Sequence, residues 1–154
     1  MDVVLIILGL GMIVAGIGAA AITLGPVLLR YDRDYLGANR DDLHALNPHL
    51  VHFLQHDRIT MAGTMIGIGV LYVGLAAGGM RAGQLWARNA LLVSGASGFP
   101  TLFYFLSTGF VEPLHTLAAA VLAPIFVAAV WRRPAGPLRA PLPEGPDRDR
   151  KITR

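Results

Sequence analysis

Four long apolar runs, separated by short stretches that hold most of the charge, organise this chain. The first covers residues 3–29 and meets no ionisable side chain until Arg30. The others cover 59–80, 90–106 and 114–131, and none contains Asp, Glu, Lys or Arg. A helix of about 20 apolar residues crosses a hydrocarbon layer of about 30 Å. Lipid offers no partner to a backbone N–H or C=O, and no run alternates polar with apolar residues as a barrel strand does. Helices are therefore the expected form. The pattern predicts an all-α integral membrane protein, an antiparallel four-helix transmembrane bundle over 1–133, followed by a disordered tail over 134–154.

The first run is not read as a signal peptide. It opens on Asp2 without a basic leader and stays apolar for about seven turns, longer than the apolar core of a secretory signal. Before the second run, Asn47-Pro48 has the form of a capped helix start with proline in the first turn. The helix it starts would run through His52 and His56 into the second span and be longer than a bilayer is thick. Its first turns form an interfacial extension. Glycines recur at Gly9, Gly11, Gly16 and Gly18, and again at Gly63, Gly67, Gly69, Gly74 and Gly78. Small residues let membrane helices approach closely, so tight packing of spans one and two is expected.

Charge and composition narrow the function. Thirteen Lys and Arg against ten Asp and Glu give a net charge of +3, but the arginines flank apolar runs rather than interleaving with aromatics. They are assigned to membrane topology and nucleic-acid binding is excluded. Arg81, Arg88, Arg132, Arg133 and Arg139 collect on one side, which places both termini in the cytoplasm by the excess of basic residues there. With 0 Cys the chain offers no disulfide, thiolate nucleophile or cysteine-ligated metal. No glycine-rich phosphate cradle or nucleophile elbow is present.

Alternating spans bring the end of the first, the start of the second, the end of the third and the start of the fourth to one side. Asp32, His49, His52, His56, Asp57, Arg58, Tyr104, Glu112 and His115 then belong to one membrane face. Ionisable groups at membrane depth are costly and mark a functional hypothesis. The structural alternative stays beside it: Asp57 and Arg58 as an ion pair, Glu112 as a helix cap. His49, His52 and His56 share a helical face, as do Glu112 and His115.

Three readings stand. In the first, Asp57 and Glu112 are acids protonating a lipophilic isoprenoid-like substrate, with cyclisation or isomerisation as the reaction. His56 and His115 tune or accept protons, and Arg58 fixes a carboxylate, with Asp32 nearby. Here no metal or cofactor is needed, and His52, Phe99, Phe103, Tyr104 and Phe110 line the substrate pocket, where ring faces stabilise positive charge. In the second, the chain is a redox accessory that binds a quinone, or a haem or divalent metal at His52, His56, Glu112 and His115. In the third, it is a non-catalytic anchor or scaffold. Membrane lipid, a second copy of the chain or a redox protein are the partners these readings imply.

The stretches LVHFLQHDRITMAG over 50–63 and GFPTLFYFLSTGFVEPLH over 98–115 resemble a poorly characterised family of small bacterial four-span membrane proteins. Its pattern has an H-D-R triplet opening the second span and a G-[FY]-x-[DE]-x-x-H element opening the fourth. Here they read His56-Asp57-Arg58 and Gly109 to His115, and the likeness covers roughly residues 5–130. Relatives are sometimes joined to a dihydroorotate dehydrogenase-like domain. Where they carry a His-Asp pair in the first loop, this chain has Tyr31-Asp32, so only the aspartate carries over. The resemblance implies a bacterial cytoplasmic membrane location. A further likeness, of architecture and chemistry alone, is to small membrane-bound terpene cyclases.

Overall fold

A computed structural model describes residues 2–107 and 113–131, and every element among them is helical. The order is α1 (Asp2–Leu24), α2 (Arg30–Leu36), α3 (Arg40–Leu46), α4 (Pro48–Gly74), α5 (Leu85–Ser107) and α6 (Pro113–Trp131). α4 runs on without a break into a π-helical turn, Leu75–Met80. The tail expected over 134–154 lies outside the described residues.

Two stretches, Val3–Leu24 and Pro48–Met80, are long and apolar enough to cross a membrane, and α6 holds a shorter apolar stretch, Thr116–Trp131. The 33 residues of Pro48–Met80 extend about 50 Å at 1.5 Å per residue, well beyond a hydrocarbon layer. The start of α4 is as expected: the Asn47 side chain accepts from His49 N at 2.9 Å, and Pro48 occupies the first turn.

The first apolar run does not stay helical to residue 29, which corrects the expected span of 3–29. α1 stops at Leu24, because Pro26 has no N–H to give Ile22. Gly25 N and Val27 N both turn back to Ile22 O at 3.1 Å instead, and Val27 takes a left-handed φ of 66°. The chain then forms α2 and α3, two short helices absent from the sequence reading. Asn39 caps α3, accepting from Asp41 N and Asp42 N at 2.8 and 3.1 Å. α5, the helix of the third apolar run, also begins earlier than the expected residue 90, at Leu85, because the Arg81–Gln84 turn is closed by Gly83 with φ 70°.

α1 and α4 are antiparallel and meet in steps of seven residues: Gly9 against Gly69, Gly16 against Ala62, and Thr23 against Gln55. A Cβ at Gly69 would stand 2.6 Å from Gly9 O, and one at Gly16 2.8 Å from Ala62 O. The two backbones therefore touch. A two-turn period of seven is that of a left-handed helix pair. The expected tight packing of the first two spans is present, but it uses Gly9, Gly16 and Gly69. Cβ atoms at Gly11, Gly18, Gly63, Gly67, Gly74 and Gly78 would meet nothing within 4 Å.

α5 is antiparallel to α4, with Ser94 level with Tyr72 and Ala87 level with Gly79. α6 is antiparallel to α5, its Val130 carbonyl accepting from Arg88 Nε at 3.1 Å. Helix direction alternates as expected. The main core sits where all four long helices meet, around Leu5, Ala76, Met80, Leu91, Phe126 and Val130. A second cluster of Val27, Leu28, Leu43 and Val51 fastens the post-α1 turn and α3 onto the first turns of α4.

Candidate functional site

Two separate features occupy the region where a single one was expected. The first is built on α4. A helix turns its side chains by about 100° per residue, so the face that meets α1 and α3 carries Val51, Gln55, Arg58 and Ala62. Arg58 reaches back to the turn after α1. Its Nη1 donates to Val27 O at 3.0 Å and its Nη2 to Asp32 Oδ2 at 2.7 Å. The same Asp32 oxygen accepts from Leu29 N at 2.8 Å, which satisfies a free N–H at the start of α2. Asp32 is 7% exposed and thus nearly buried. Gln55 supports the same turn, Nε2 donating to Thr23 O at 3.2 Å.

Arg58 does fix a carboxylate, and that carboxylate is Asp32 rather than its sequence neighbour Asp57. With Arg58 turned inward, Asp57 faces outward. His52, His56 and Asp57 are all exposed, as is His49. Among the described residues no three His, Asp or Glu side chains converge in a way that could hold a metal ion. Phe110 and Glu112 lie outside the described residues, and His115 is described only as part of the α6 backbone.

The second feature is an apolar groove of about 520 Å³ between α5 and α6, open along its side. α5 contributes Gly95, Ala96, Phe99 and Phe103, and α6 contributes Ala123 and Phe126. Of the expected pocket residues, Phe99 and Phe103 line it. Tyr104 sits on the exposed side of α5, and His52 is on α4, away from the cavity. Phe126 and Gly95 were missed by sequence reasoning. Their signal was Gly95 at an apolar helix position, opposite a bulky aromatic in the next span.

The cavity lining carries no titratable side chain. The polar residues at the start of α4 and the apolar lining between α5 and α6 thus have separate walls. They are related by direction: the α4 start, the α5 end and the α6 start point the same way. Continuing the Tyr72–Ser94 register at 1.5 Å per residue brings the α5 end, Ser107, level with Ile59. No protein-family model, curated protein or solved structure matches the chain.

Proposed function

We propose that this chain is an integral membrane enzyme whose four long helices span the bilayer and whose acid–base groups act on a lipophilic, isoprenoid-like substrate. The observation that carries the reading is the α5–α6 cavity, apolar throughout and within the usual size range of a small-molecule site. Its hydrocarbon-compatible wall receives the greasy part of a substrate. The reacting head belongs at the membrane face where α4 begins, α5 ends and α6 starts.

There Asp57 and Glu112 are the proposed proton donors, with His56 and His115 as proton acceptors. Asp32 and Arg58 are positioning residues, since their bonds hold the post-α1 turn against α4. A carboxyl positioned against the substrate's double bond donates the proton, and a neighbouring imidazole takes one back when the cation is quenched. The flanking phenyl faces stabilise the carbocation so formed.

The test compares isoprenoid lipid extracts of cells that express the chain with extracts of cells that do not. Expression should alter the profile. Asp57→Asn and Glu112→Gln should each abolish the change at unchanged protein level in the membrane. An unaltered profile with the wild-type chain, or full activity in both variants, overturns the reading.

A second reading, an anchor for a partner protein, draws support from the open glycine face at Gly63, Gly67 and Gly74 of α4 and Gly78 of the π-helical turn that continues it. It predicts a stoichiometric membrane partner that is lost when Gly67 is replaced by Leu, with no change in lipids.

A further inference from the structure

Resting on the reading above, we propose that the α5–α6 cavity holds one hydrocarbon chain end-on, and that the contact of Phe126 with Gly95 sets the chain length it accepts. The chemistry of the wall defines the ligand class. It presents only hydrocarbon side chains, so a charged or hydrogen-bonding head group inside would lose its water without replacement. A flexible aliphatic chain fits without that loss.

The α5–α6 space is a groove open along its side, and Phe126 blocks it at one end. Gly95 lacks a Cβ, and one built there would collide with the Phe126 ring, so the ring lies directly on the α5 backbone. Phe99 and Tyr72 brace that ring, with centroids 5.5 and 6.0 Å away. Tyr72 is itself held by Ser94, its hydroxyl 3.2 Å from Ser94 Oγ. Phe126 is 4% exposed, whereas Phe103 at the other end of the lining is 42% exposed. Beyond Phe126 the Arg88–Val130 bond ties the two helices together.

Backbone chemistry keeps the space open. Pro100 in α5 and Pro124 in α6 fall at the level of the cavity, and each removes one helical N–H bond. Proline inside a helix bends or loosens it. From Ala96, beside the Phe126 stopper, to Phe103 the lining extends about 11 Å along α5 at 1.5 Å per residue. A chain inserted from the Phe103 end keeps its head near the α5 terminus, on the side where α4 carries His56 and Asp57.

The experiment is native mass spectrometry of the full chain in detergent with geraniol, farnesol and geranylgeraniol, and with straight-chain alcohols of matched carbon number. Affinity should rise with length to one optimum and then stop rising or fall. Phe126→Leu should move the optimum to longer chains, and Ala123→Phe should weaken all chains about tenfold, since each buried methylene adds to affinity. Thermal unfolding checks each variant, and the wild-type series alone decides whether an optimum exists.

Matching curves for branched and straight chains support a length gauge for hydrocarbon in general. A preference for the prenyl series supports the same gauge with an isoprenoid source. Binding that climbs steadily with length, or an optimum that Phe126→Leu leaves in place in a folded protein, overturns the proposal while the enzyme reading stands. Failure of the wild-type chain to bind any of these alcohols overturns that reading itself.

Discussion

At the scale of single residues, the decisive event is that Arg58 and Asp57, adjacent in sequence, part company in space. The inward turn of Arg58 gives the guanidinium a carboxylate and a carbonyl on the far side of a sharp chain reversal. Sequence reading placed Asp32 and Arg58 at the same face but not in contact, because nothing local to either residue encodes a partner 26 positions away. The Gly25-Pro26 pair was the available signal, since it marks the reversal that carries Asp32 back to α4. The pair is mostly withdrawn from solvent, with side chains 21% and 9% exposed. Removing one partner leaves the other charge buried and unpaired, at a cost of about 3 kcal/mol. Arg58→Met and Asp32→Ala should therefore each lower the thermal midpoint in detergent by several degrees. Their combination should lose clearly less than the two losses added, because the second change removes the stranded charge. Strict additivity would show that the two side chains act independently.

At the scale of elements, the helices were legible and the way they touch was only half so. Apolar run length is a strong signal, and Asn47-Pro48 marked the α4 start to the residue. α2 and α3 were not legible because seven-residue helices carry too few apolar positions to show a period. Glycine recurrence pointed to the α1–α4 contact, yet each helix carries glycine on an open face as well as on the packed one. The informative signal was the seven-residue step, Gly9, Gly16 and Thr23 against Gln55, Ala62 and Gly69. This distinction is measurable. Gly69→Ala places a methyl group 2.6 Å from Gly9 O, a backbone atom with no rotamer to escape into. Gly67→Ala, two residues away, meets open space. The first should separate the helices and cost about 1–3 kcal/mol in unfolding free energy, as overpacking does. The second should change stability by no more than about 0.5 kcal/mol, as for an ordinary surface position. Equal losses would mean that α4 packs on α1 with a different face.

At the scale of the whole molecule, alternating helix direction makes a topological statement that follows from α4 alone. One continuous helix of 33 residues runs from Pro48 to Met80. Its two ends are farther apart than the hydrocarbon layer is thick. If α4 spans, the α2–α3 segment before it and the Arg81–Gln84 turn after it lie on opposite sides of the membrane. On the proposed orientation, the excess of arginine around the latter puts it in the cytoplasm. The chain has no cysteine, so a single introduced thiol reports without background. Ala45 in α3 and Ala82 in the turn are both exposed and belong to neither buried cluster. In intact cells a membrane-impermeant maleimide should label Ala45→Cys and should reach Ala82→Cys only after lysis. The opposite pattern would keep the span and invert the orientation, moving the polar start of α4 to the cytoplasmic face. Equal labelling of both positions before lysis would mean that α4 does not cross the bilayer. The cavity would then have no lipid phase from which to draw a chain, and the proposed chemistry would lose its setting.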